Sequence, residues 1–416
     1  SHEDGWYRDM AQRLLVERND PASVLVLEDL VKNGKSEFGR FHALWTLEGM
    51  GKEKPELLLE VLEKDSDLMK TTALRQLEKP ALGKPEILDQ LEVISLNLIN
   101  NASDKVALQL ALSAAIFSWE AKAQLLSEIF ESHGNLALIR DAVMSSLKDE
   151  EYYFLQKLMA NETWAATNPD REVFLEMLTT AIINNGVSAE IGGLLALTDT
   201  QEMGWKESVI LTGMAIQASD VEKSGIVSLP SEPSIFKRAD LPLDQNRLLM
   251  LKRLFSWPGY QPSATVASVG NLDEKAMKQF AAGRTKYLTS CAGCHGNNGK
   301  GAARMGPPLA GSEWVVGDEV RLSLIMLHGL EGPIEVAGKK YDAPEILPVM
   351  PSHSTMDDAV IASILTYIRN EWGNQAPPVT GRKVSSTRHL NQGRVYPWSA
   401  AELNKHMEGL AASSKP

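Results

Sequence analysis

Cys291-Ala292-Gly293-Cys294-His295 contains the only two cysteines of the 416-residue chain and sets a histidine directly behind them. That is the spacing that attaches a c-type haem. Two thiols three residues apart can each bond one vinyl group of the porphyrin, and the next residue can then present its imidazole to the iron from the same turn. The chemistry so indicated is one-electron transfer at a single covalent haem c. A thioredoxin-type dithiol would need a strand-helix-strand setting, and a zinc site would need more Cys or His at close spacing. Neither context surrounds this pentapeptide.

The flanks extend the reading. Asp273 to Thr289 predicts a helix whose apolar face carries Ala276, Met277, Phe280, Tyr287 and Leu288, and which delivers the cysteines at its end. Gly296-Asn297-Asn298-Gly299-Lys300-Gly301 reads as a glycine-rich loop able to approach a flat ligand closely. No strand precedes it and it lacks the Lys-Ser/Thr pair of a phosphate-cradling loop. Gly306-Pro307-Pro308-Leu309 is rigid and lacks amide donors at both prolines, so one of its carbonyls can orient the His295 imidazole through the other ring nitrogen.

The far face of the iron needs a second ligand from farther along. Among fifteen methionines, Met350 stands out in Leu347-Pro348-Val349-Met350-Pro351, bracketed by prolines that would hold its thioether rigidly at the ring. Met305, Met326 and Met356 are the other thioether candidates, and His328 or His353 would make a bis-histidine site of lower potential. Asp357 to Trp372 predicts an amphipathic helix, with Ile361, Ile364, Leu365, Ile368 and Trp372 on one side, crossing the helix that ends at Tyr287.

On these residues the stretch from about Leu272 to Asn374 resembles a class I cytochrome c, particularly those associated with periplasmic quinoprotein dehydrogenases. The matching elements are Cys291 to His295, Gly306-Pro-Pro-Leu309, Trp314-Val315, His328-Gly-Leu-Glu-Gly-Pro-Ile334, Met350-Pro351 and Tyr367-Ile-Arg-Asn370. The resemblance implies His295 and Met350 as axial iron ligands, Cys291 and Cys294 as thioether anchors, and the Pro308 carbonyl as the partner of His295.

The N-terminal part repeats. A basic residue, a small or apolar residue three later and Leu four after that recur as Arg8-Ala11-Leu15, Arg40-Ala43-Leu47, Lys70-Ala73-Leu77, Lys105-Leu108-Leu112 and Arg140-Val143-Leu147. Offsets of three and four put each apolar pair on one helical face. Val24 to Leu30, Pro55 to Leu62, Leu88 to Leu98, Ala121 to Phe130 and Glu151 to Leu158 supply a second helix per unit. Paired helices at a period of roughly 30 to 35 residues mean a stacked α-solenoid. Arg8 to Leu15 and Phe41 to Gly51 resemble HEAT-type repeats found between a sugar-dehydrogenase-like β-propeller and a cytochrome c in large bacterial secreted proteins.

The expected fold is therefore all-α, a HEAT-like α-solenoid followed by a class I cytochrome c domain. Residues 1–256 form the helical repeats and 257–271 the linker, with the cytochrome at 272–375 and a C-terminal extension at 376–416. Beyond Gly373 the reading is irregular chain, with a basic cluster at Arg382, Lys383 and Arg388 and a last short helix from Ser399. That cluster reads as a solvated tail, or as a return over the haem edge or solenoid where an arginine pairs with a propionate.

A net charge of −12 without a basic patch excludes nucleic acid as a partner. No run of about eighteen apolar residues is present, so this stretch is not expected to span a membrane. Haem attachment of this kind takes place outside the cytoplasm, which makes the expected location periplasmic. The chain starts at Ser1 without a positively charged apolar leader and reads as a mature form or excised piece.

The functional expectation is electron transfer from a fused or separate quinoprotein (PQQ-type) dehydrogenase to a downstream cytochrome or oxidase, with the helical repeats as docking scaffold. The alternative is a haem-based redox or ligand sensor or scaffold, which needs an open or displaceable axial position. No glycosidase-like carboxylate pair, Gly-x-Ser-x-Gly elbow or His-Glu-x-x-His motif occurs, so the chain is read as non-catalytic.

Overall fold

A computed structural model describes residues 2–218, 225–238, 241, 243, 245–262 and 272–413. The chain divides into two compact units, Ser1–Glu150 and Glu151–Pro416. Helices dominate both, and the sheets are pairs or triplets of two- and three-residue strands.

In the first unit the repeated Arg/Lys-Ala-Leu pattern falls on the helices Gly5–Arg18, Glu37–Gly49, Asp67–Gly83, Asp104–Ser113 and Ala137–Ser146, each packed on the next. The intervening helices Pro55–Lys64, Pro85–Leu98 and Trp119–His133 pack on one another as a second layer. Local chemistry explains the starts: prolines 55 and 85 occupy first-turn positions whose N–H would be unpaired anyway, and the Ser36 and Ser103 hydroxyls accept from Gly39 and Val106 amides.

The buried faces carry Ala43 and Leu47, Ala73 and Leu77, and Val143 and Leu147. On Gly5–Arg18 the expected pair is not buried, Ala11 being exposed and Leu15 half buried, and one further register is off by a residue. Leu112 is exposed and Leu108 only half buried, while Val106, Ala107, Leu110 and Ala111 face the core. The helix starts at Asp104 behind the Ser103 cap, and its packing on Asp67–Gly83 and Ala137–Ser146 selects that face.

The second unit begins with Glu151–Ala160, Pro169–Asn185, Ser188–Leu197 and Trp205–Gln217, followed by Gln245–Lys252. These fold together with the haem-motif region. Glu274–Ser290, capped by the Asp273 carboxylate on the Ala276 amide, packs on Pro169–Asn185, Trp205–Gln217 and Asp358–Ile368. The boundary expected at 256/257 thus falls inside this unit. Trp257 and Tyr260 stack at 4.1 Å with Trp257 buried, whereas linker residues 263–271 lie outside the described residues.

The crossing of Glu274–Ser290 with Asp358–Ile368 depends on Gly283. A Cβ there would meet the Ser363 carbonyl oxygen at 1.9 Å and the Tyr367 Cβ at 2.9 Å. Backbone cannot yield as a flexible side chain would, so Gly283→Ala should destabilise the second unit by about 3 kcal/mol, at the upper end of overpacking costs. Thermal unfolding followed by the near-ultraviolet signal checks this.

Two expectations about the C-terminal region need correction. The helix predicted to Trp372 ends at Ile368, because the Asn374 amide nitrogen donates to the Ile368 and Leu309 carbonyls and turns the chain. Trp372 consequently sits at φ 54° off the helix. The basic cluster is not irregular tail either. Arg382, Lys383 and Arg388 lie on the helix Gly381–Leu390, which starts at the Thr380 cap and packs on Asp358–Ile368 and Glu319–His328. The last helix runs Ala400–Ser413.

Candidate functional site

A single turn positions the attachment motif. The His295 and Cys294 amides donate to the Cys291 carbonyl, so Cys291, Cys294 and His295 project from one short helical turn, Ala292–His295. The turn is pinned from behind by the Tyr287 hydroxyl, which donates to the Gly296 carbonyl at 2.6 Å. It is pinned from the side by the Gly301 and Ala302 amides, bonded to the His295 and Cys294 carbonyls.

Both cysteines, His295 and Met350 line one cleft. Its walls are otherwise apolar, among them Trp314, Val315, Leu322, Ile325, Ile364 and Ile368. Met305 and Met326 also line it; Met356, His328 and His353 do not. Met356 packs against the core, and His328 is taken up by the Arg394 carbonyl at 3.2 Å.

The donor set suits a covalent haem. Burial lowers the pKa of His295, only partly opposed by the carbonyl facing its ring, so the imidazole is neutral and able to bind iron. Its Nδ1 lies 2.9 Å from the Pro307 carbonyl, which leaves Nε2 as the metal-facing nitrogen. The partner is thus Pro307 and not Pro308, although both prolines line the cleft. Gly306 explains the choice. A Cβ there would stand 3.1 Å from His295 Nδ1 and Cε1 and 2.9 Å from the Cys294 carbonyl, so the ring packs directly on this glycine and the first carbonyl after it is within reach. The proline immediately following the glycine was the signal available in the sequence.

Burial, with a contribution from Cys294, pushes the Cys291 thiol up to about 12. A reactive redox thiol needs the opposite shift. The glycine-rich loop after the motif does not approach the cleft as expected. Gly299, at φ 64°, is covered by the Trp372 ring, since a Cβ would meet its Cε3 at 2.4 Å, and Gly301 faces the Gly306–Pro307 backbone. The flat group this loop receives is Trp372, whose Nε1 donates to the Asn297 carbonyl at 3.2 Å.

Gly306→Ala should cost about 1–3 kcal/mol through that crowding and displace the imidazole. The expected result is a reduced yield of haem-loaded chain and a weaker low-spin spectrum, both read by absorption.

Comparison with known proteins agrees with this geometry. Residues 280–372 match the cytochrome c family. Cytochrome c-552 of Thermus thermophilus is 40% identical over 114 residues, which span 26% of this chain and 82% of that protein. The cytochrome c subunit of the quinone alcohol dehydrogenase of Gluconacetobacter polyoxogenes is 34% identical over 157 residues, 35% of this chain and 31% of the subunit. The cbb3-type cytochrome c oxidase subunit CcoP of Azospirillum brasilense is 32% identical over 114 residues, 25% of this chain and 33% of that protein.

The chain belongs to the cytochrome c family. It is an electron-transfer protein whose C-terminal region carries a covalent haem c on Cys291 and Cys294. Among the described residues no helix is long and apolar enough to cross a membrane.

Proposed function

We propose that this chain relays electrons outside the cytoplasm from a quinoprotein-type dehydrogenase to a cytochrome or oxidase, with His295 and Met350 as the axial ligands. The observation that carries the ligand assignment is that a neutral histidine, fixed at Nδ1 by Pro307, and a proline-bracketed methionine line the same apolar cleft. When bound, the haem supplies reversible one-electron chemistry at its iron. Pro307 orients the imidazole and makes it more basic, and the apolar walls exclude water and favour the less charged state. A cleft closed by Met350 favours shuttling over sensing, which requires a displaceable ligand.

The donor assignment is supported by the likeness to a quinone alcohol dehydrogenase cytochrome c subunit, and the acceptor assignment by the likeness to an oxidase subunit. The stacked helical pairs of Ser1–Glu150 are HEAT-type repeats that hold the dehydrogenase. Such arrays present an extended surface whose usual employment is protein binding, and holding the donor raises its local concentration.

The test is reduction kinetics with the dehydrogenase at low concentration, comparing the full chain with one lacking residues 1–150. A loss of tenfold or more in rate, recovered at high dehydrogenase concentration, is expected on the tethering estimate of at least about a hundredfold avidity. Equal rates would assign docking elsewhere.

A further inference from the structure

The loop that carries Met350 is open on its outer side: Leu347 and Val349 are 42% and 39% exposed. Its restraint comes from behind. Leu330 pairs antiparallel with Met350, and on its other edge pairs parallel with Trp398, so a strand of the C-terminal extension completes a three-stranded sheet with the methionine strand. A two-stranded pairing this short is marginal by itself, and a third strand with an apolar backing makes it persist. Trp398 and Leu403 supply that backing, buried in one cluster with Trp314, Leu324 and Ile325 against which Met350 also packs.

The extension makes two further attachments. The Trp398 amide donates to the Gly329 carbonyl at 3.1 Å. Arg388, held by Asp358 at 2.7 Å, donates to the Ser354 carbonyl and, at 2.8 Å, to the Met356 carbonyl, clamping the segment that follows Met350. Those two carbonyls lie on otherwise irregular chain, so the guanidinium takes the place of a regular hydrogen-bonding partner.

We propose that the C-terminal extension is a lock on the Met350 loop, with Trp398 and Arg388 as its positioning residues, keeping the loop closed against exogenous iron ligands. The inference rests on the reading of Met350 as axial ligand only where iron is the readout. The lock lowers the population of an open loop, and any small ligand that binds the iron must wait for that opening.

The experiment uses the full haem-loaded chain and two measurements, the affinity of ferric iron for imidazole and hydrogen exchange of the amides in 349–356. Arg388→Ala and Trp398→Ala should each raise imidazole affinity about tenfold or more and speed exchange in that segment by a similar factor, in line with the loss of hydrogen bonds to a charged group or of a packed strand. Exchange in Glu274–Ser290 should stay unchanged, which a merely global destabilisation would not allow. Trp398→Phe, which keeps the backbone pairing and an aromatic backing, should restore both readouts, and Arg382→Ala, on the exposed side of the same helix, should alter neither. If Trp398→Ala fails to fold, Arg388→Ala decides. Unchanged exchange and unchanged imidazole affinity in Arg388→Ala would overturn the lock. Faster exchange with an unaltered sulfur-to-iron band in Met350→Ala would keep the lock and reject the ligand assignment.

Discussion

Met350→Ala is expected to abolish the sulfur-to-iron band of the oxidised chain and to lower its midpoint potential. Thioether ligation favours reduced iron, and axial ligation moves haem potentials over roughly 0.8 V in total. Removing the thioether should therefore shift the potential by roughly 0.1–0.3 V, far more than any substitution on the cleft wall. The competing thioethers make the outcome informative. Met326 is buried and Met305 partly exposed on the same cleft, so both are rivals for the iron. Spectroelectrochemistry of Met350→Ala beside Met326→Ala separates the cases. Loss of the band in Met326→Ala with retention in Met350→Ala would reassign the ligand.

Arg284→Ala should cost about 3–5 kcal/mol, the largest stability effect expected for a single side chain here. Arg284 is buried and its Nε lies 2.6 Å from the buried Glu176 carboxylate, with the Tyr367 hydroxyl 3.4 Å from Nη1. Burial alone would lower the guanidinium pKa, but Glu176, Tyr367 and Glu371 together outweigh it and raise the pKa above its ordinary value, so Arg284 stays charged. A second pair, Arg247 with Glu371, lies close by, and the Arg247 guanidinium sits 5.5 Å above the Phe280 ring.

Truncating Arg284 strands a carboxylate out of water, which is the expensive event. The attraction itself is largely cancelled by the desolvation it requires. The double variant Arg284→Met, Glu176→Leu should accordingly recover most of the loss. Denaturant titration of the wild type and the three variants tests this, and a double variant as unstable as Arg284→Ala alone would contradict it.

These pairs also explain why the two ends of the second unit hold together. Glu176 and Arg247 come from helices upstream of residue 257, Arg284 and Glu371 from the haem-bearing region. Asn297 Nδ2 adds a further link to Glu172 at 3.0 Å. No spacing rule marks such partners, since Glu176 and Arg284 are separated by more than a hundred positions and each reads locally as one more charge on a helix surface.

The cofactor and the motif that binds it were legible from residue order, because a covalent haem demands two thiols and an imidazole within one turn, and a turn is a local object. The stacked helices were legible for a related reason. Apolar residues at offsets of three and four state which face is buried, although at Lys105-Leu108-Leu112 the buried face lies one position earlier and packing against the neighbouring helices decides it. The methionine proposed as second ligand was singled out by its flanking prolines.

What the tertiary structure decided are the contacts that no period encodes. Pro307, and not Pro308, faces the imidazole because Gly306 lets the ring press against the backbone one residue earlier. Gly299 after the motif serves Trp372, because Asn374 ends the preceding helix and swings that ring over it. The region past Gly373, poor in periodicity, becomes a helix and a strand behind the Met350 loop because backbone hydrogen bonds to Leu330 and a buried apolar cluster stabilise it there. Local chemistry specifies turns, caps and attachment; pairing between distant segments is determined by which surfaces remain to be covered once the helices have packed.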